Sequence, residues 1–84
     1  MSHKVTSLDV VTDLRRALAS SFSKKGFSDA NCKLFLRKAE ANITEVTSDR
    51  RKLSLVLKRI KKARDIKQPI EKRREDILMA SSLI

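Results

Sequence analysis

From residue 27 to residue 68 the chain contains no glycine and no proline, and Gly26 and Pro69 are the only ones in its 84 residues. A stretch like that lacks the residues that turn a backbone sharply, which excludes a sandwich or barrel of many short strands. Apolar side chains recur along it at intervals of three and four, the spacing of a helix face. The fold class this implies is all-α, in a single helical domain over residues 1–84. The one cysteine rules out an internal disulfide framework and suits a reducing compartment, the cytoplasm. No uncharged run approaches the roughly 18 apolar residues of a membrane span, and no signal-peptide pattern opens the chain.

Three helices can be read between the punctuation marks. The first starts after Thr6 or Ser7, with Thr6 and Asp9 at capping-box spacing. Its apolar face is Val11, Leu14, Leu18 and Phe22, and Gly26 supplies the left-handed conformation that ends it, with Phe27 packing beside the turn. Ser28 caps the next helix, which continues over 29–66 and is about 57 Å long at ~1.5 Å per residue. Cys32, Leu36, Ala39, Ile43, Val46, Leu53, Leu57 and Ile60 make its seam. The weak point is Thr47-Ser48-Asp49, where poor helix formers and capping residues coincide; a joint there would give two helices and a four-helix bundle. The continuous helix is favoured because no residue in that stretch demands a turn. Pro69 suits the first position of a short third helix carrying Ile70, Ile77 and Leu78. A partner helix half as long cannot cover the seam of the long one, so the expected assembly is a dimeric helical bundle, two copies burying what one leaves bare.

Charge is the second strong signal. Residues 50–74 hold twelve Lys or Arg against Asp65 and Glu71, a net of +10, and the other residues balance to zero. Solubility is served better by mixed signs, and crowding one sign costs stability through self-repulsion. A polyanionic partner is implied, and nucleic acid is the commonest one. On a continuous helix Arg37 and Lys38, Arg51 and Lys52, and Lys58 and Arg59 fall on one flank, with Lys62 beside them. The pairs stand about 21 and 10 Å apart along a straight rod. A rod with cations along one side tracks phosphates without entering a groove, the mode expected for double-stranded RNA. Single-strand binding uses aromatic platforms, and Phe22, Phe27 and Phe35 read as packing residues.

The order of a short helix, the tight turn Phe27-Ser28-Asp29-Ala30, a long basic helix and a short third one resembles the nodavirus suppressors of RNA silencing. That resemblance is one of layout and carries over no binding residue. It implies a viral helical homodimer that lies along duplex RNA without sequence preference and shields it from nucleases. The influenza non-structural protein's RNA-binding domain is similar in logic.

Two other functions fit the residues. One is a helical adaptor whose basic surface docks on an acidic protein partner. The other is a helix-turn-helix DNA-binding regulator built on Lys25-Gly26-Phe27-Ser28, with Lys33 and Arg37 facing a groove. That reading ranks lower because the cations begin at Arg50, far from this turn. Lys58-Arg59-Ile60-Lys61 matches a short nuclear-import pattern, of a kind frequent in basic proteins. Catalysis has no support: His3 is the one histidine, so Cys32 lacks a base, and no Cys and His set has metal-ligand spacing. No cofactor is expected.

Overall fold

The computed structural model describes residues 5–84; His3 lies outside them. The described residues form four α-helices and no strand: α1 (Ser7–Ser20), α2 (Ala30–Val46), α3 (Arg50–Arg64) and α4 (Ile70–Leu83), with a 3-10 turn at Gly26–Ser28 before α2. α1 packs on α2 and α3 on α4, and the α1–α4 and α2–α3 contacts close the ring of a four-helix arrangement. The Cα extents are 36 × 30 × 16 Å, so the chain is a thick slab rather than a rod.

α1 begins as its sequence dictates. Thr6 is the N-cap: its backbone N–H donates to Asp9 Oδ2 at 2.8 Å, and Asp9 N–H donates back to Thr6 Oγ1 at 3.4 Å. Its buried face is Val10, Leu14 and Ala17, with Val11 and Leu18 half-buried. Phe22, expected on that face, lies beyond the end of α1, is 65% exposed, and stacks under the Arg74 guanidinium at 3.8 Å. Gly26 is left-handed as expected, at φ 55°, but it opens the 3-10 turn well after α1 has ended at Ser20. Phe27 of that turn is buried, under Arg73. Asp29 rather than Ser28 caps α2, its carboxylate accepting from Asn31 N–H at 2.8 Å.

The long helix over 29–66 is not formed: α2 ends at Val46 and α3 starts at Arg50. The joint is made by the side chains that mark it. Thr47 is extended (φ −124°, ψ 136°), and its Oγ1 accepts from Asp49 N–H at 3.2 Å. Asp49 is also non-helical and accepts from the N–H groups of Arg51 and Lys52 at 3.0 and 3.3 Å. Short polar side chains thus give the backbone hydrogen bonds that compete with helical ones, and no turn-forming glycine is required.

Breaking the helix also resets the rotation of its second half. Cys32, Leu36, Ala39 and Ile43 are buried as the seam requires, but in α3 the buried residues are Val56, Ile60 and Ala63. Leu53 and Leu57 are only half-buried at the edge of the core. Within the chain the other helices cover Cys32, Leu36, Ala39, Ile43 and Ile60 of the expected seam, while Val46, Leu53 and Leu57 stay half-buried. Pro69 sits just before α4 as its N-cap residue; Ile77 and Ala80 are buried there, while Ile70 and Leu78 are more than half exposed.

Candidate nucleic-acid interface

The joint at Thr47–Asp49 decides where the cations go. Arg37 and Lys38 stay on α2, and Arg51, Lys52, Lys58, Arg59 and Lys62 belong to α3, so the seven do not share a flank of one straight helix. Arg37 and Lys38 are both exposed, but Lys38 borders Asp9, Asp13 and Arg16 in a groove against α1, away from α3.

Two of the α3 residues are half-buried and engaged on the α4 side. Arg59 is half-buried and its Nη1 donates to Asp76 Oδ1 at 3.0 Å in an ion pair. Lys52 donates from Nζ to the Ile84 carbonyl at 3.3 Å. Three more members of the basic stretch are used in packing. Arg64 pairs with Glu40 and ties α3 to α2. Arg73 donates from Nε to the Ala63 carbonyl at 2.6 Å, and Arg74 donates to Ser21 Oγ at 3.2 Å and to the Ser21 carbonyl at 3.0 Å.

Seven further cations of the stretch are exposed: Lys67 and Lys72 lie beyond α3, and the other five form a compact group on it. Arg50, Arg51, Lys58, Lys61 and Lys62 are all exposed on α3 and have no partner among the described residues. Arg50, Lys58, Lys61 and Lys62 line an open groove of about 680 Å³ with Leu53, Ser54, Leu57 and Asp65. Asp65 is the single acid there. Arg50 and Lys61 were absent from the expected set, although both lie in the basic stretch. They share α3's outer side with Leu57 once Val56 and Ile60 are turned inward, and that rotation was hidden while the heptad was carried through the joint.

Chemically this face is a row of positive points on a rigid helix. It has no Asn or Gln anywhere on α3 to read a base edge. No aromatic residue lies on α3 or lines its groove; Phe27 is buried under Arg73, and Phe22, 65% exposed, carries the Arg74 guanidinium over its ring. Among the described residues no group of His, Cys, Asp or Glu could hold a metal ion, and no helix is long and apolar enough to cross a membrane.

Fold and charge together define a small all-helical protein with one cationic helix face. No protein-family model, curated protein or solved structure matches the chain.

Proposed function

We propose that this protein binds double-stranded RNA through its backbone phosphates and sugars, without sequence preference, and shields the duplex it covers from nucleases. The observation that carries the reading is the outer face of α3: five exposed cations with unpaired side chains on one rigid element, while Lys52, Arg59, Arg64, Arg73 and Arg74 of the same basic stretch are engaged in contacts. Lysine supplies three of the five and acts as a point charge, which suits phosphates more than base edges. A-form duplexes present a deep, narrow major groove that side chains do not read, so contact from outside is the available mode. A pair of chains would double the cationic area, and sedimentation of the protein with and without RNA reads that directly.

One observation favours a second reading. A three-residue joint followed by a helix that begins Arg50-Arg51-Lys52 places charge at the start of a second helix, as a helix-turn-helix reader of DNA does. The turn that matters is then Thr47–Asp49, not the one at Gly26.

Gel shifts with duplex RNA, duplex DNA of random sequence and a single strand separate these. Duplex RNA should be retained best, and Lys58→Gln with Lys61→Gln should weaken binding evenly across sequences and lower the salt slope by about one per lost contact. A preferred DNA sequence selects the second reading. Retention of no nucleic acid defeats both and leaves an acidic protein as the partner of this face.

A further inference from the structure

Away from the outer face of α3 lies a smaller recess of about 380 Å³, lined by Phe27 and Ser28 of the 3-10 turn, Lys33, Leu36 and Arg37 of α2, Arg64, Ile66 and Arg73. Four of its eight lining residues are cations and none is an acid. Arg64 is partly neutralised by Glu40 outside the recess, whereas Lys33 and Arg37 are exposed and unpaired among the described residues.

Arg73 is the unusual member. It is only 8% exposed, its guanidinium stacks on Phe27 at 4.0 Å, and its Nε is spent on the Ala63 carbonyl. No carboxylate forms an ion pair with it among the described residues. Arginine stays protonated in proteins, so the recess holds a largely buried positive charge that no carboxylate pairs directly, and its remaining N–H groups are not sealed from solvent and can meet an anion. Burial pushes the Arg73 pKa down from its ordinary value, against the smaller opposing pull of Cys32 and Asp65, which agrees with a cation short of partners.

The other lining residues say what kind of anion fits. A bare phosphate would leave most of the volume empty, and Phe27, Leu36 and Ile66 give the walls an apolar part that a simple inorganic ion does not use. The volume falls within the ~300–1,000 Å³ of ordinary small-ligand sites. Ser28 adds a hydroxyl at the rim. We infer that this recess takes the phosphomonoester of a nucleotide, with Arg73, Lys33 and Arg37 on the phosphate and the base or sugar against Phe27, Leu36 and Ile66. Two sources have that chemistry: a free nucleoside monophosphate, and the 5′-phosphorylated end of a strand. The phosphodiesters inside a duplex do not, because they carry no terminal phosphate and cannot enter a recess. The site goes beyond the proposed RNA face and does not depend on it.

Adenosine 5′-monophosphate, adenosine and inorganic phosphate are titrated into the protein at low salt, followed by amide NMR shifts and by the thermal midpoint. The monophosphate should bind, shift the amides of residues 27–37 and 64–73, and raise the midpoint. Adenosine and inorganic phosphate should each bind at least about tenfold more weakly, having lost one half of the interaction. Lys33→Gln and Arg37→Gln, both at exposed positions, should each cost about tenfold while leaving the fold intact by circular dichroism. Duplexes with and without a 5′-phosphate then identify the source: tighter binding of the phosphorylated one names the strand end, and equal binding names the free nucleotide. The inference is overturned if the monophosphate binds no better than adenosine, if K33Q and R37Q leave its affinity unchanged, or if the shifts map to the outer face of α3. Lys58→Gln with Lys61→Gln should spare the monophosphate, so loss of duplex binding alone counts against the RNA face and not against this site.

Discussion

Asp76 of α4 is 1% exposed, and its Oδ1 accepts from Arg59 across the α3–α4 interface while Oδ2 has no partner. A carboxylate in that position tolerates the loss of its one guanidinium poorly. Arg59→Met should therefore lower stability by roughly 1–3 kcal/mol in urea unfolding, and adding Asp76→Leu should return most of it, since an apolar pair leaves nothing stranded. An unchanged urea midpoint in Arg59→Met would mean that the pair does not hold the interface. The same arrangement ties Arg59, expected from sequence on the RNA-binding flank, to α4, because a phosphate that drew it away would leave Asp76 buried alone. Cys32 is a second residue whose surroundings fix its chemistry. Its Sγ donates to the Ala17 carbonyl at 3.3 Å, and burial pushes the thiol above its ordinary value of 9.0, with Arg73 pulling it down and Asp29 pushing it up. Above pH 9 the unfolded thiol loses its proton while the folded one keeps it, so the stability this group contributes below that pH falls as pH rises further. The thermal midpoint should drop on the alkaline side, more shallowly in Cys32→Ala; identical slopes would assign the drop to other groups.

At the scale of elements the joint between α2 and α3 sets everything downstream. Asp49 closes the first turn of α3, and Asp49→Ala should cost about 1 kcal/mol in urea unfolding, the usual worth of an N-cap. Replacing Thr47, Ser48 and Asp49 together with alanine removes the competing hydrogen bonds and favours one helix from 30 to 64. That helix could no longer bury Val56, Ile60 and Ala63 in its own chain, so sedimentation should show self-association; a compact monomer would mean that packing across α2 and α3 holds the bend unaided. The capping chemistry at this joint was visible in sequence, as was the break itself as one of two alternatives. What tipped the balance was not local. Folding α3 back lets α4 and α1 cover the seam, a gain in buried apolar area that no window of sequence around residue 48 contains.

For the whole molecule the net charge of +10 on a slab 16 Å thick keeps cations close together. Self-repulsion of this kind is screened by salt, so the thermal midpoint should rise between low and moderate ionic strength, by about 5 °C for each 1 kcal/mol relieved. A midpoint indifferent to salt would show the charges to be compensated within the fold. On the proposed function, duplex RNA added at low salt should do the same at far lower concentration, because a ligand that binds only the folded state stabilises it.

The all-helical class, the capping box at Thr6, the left-handed Gly26, the start of the last helix beside Pro69 and the concentration of positive charge after residue 49 are all local or compositional, and each was readable from residue types and spacing. The rotation of α3, the withdrawal of Lys52, Arg59, Arg64, Arg73 and Arg74 into contacts, and the recess around Arg73 were not. Each depends on which helix lies beside which, and a side chain's neighbours across an interface are set by packing between segments tens of residues apart. Sequence periodicity records the face a helix buries only for as long as that helix stays unbroken.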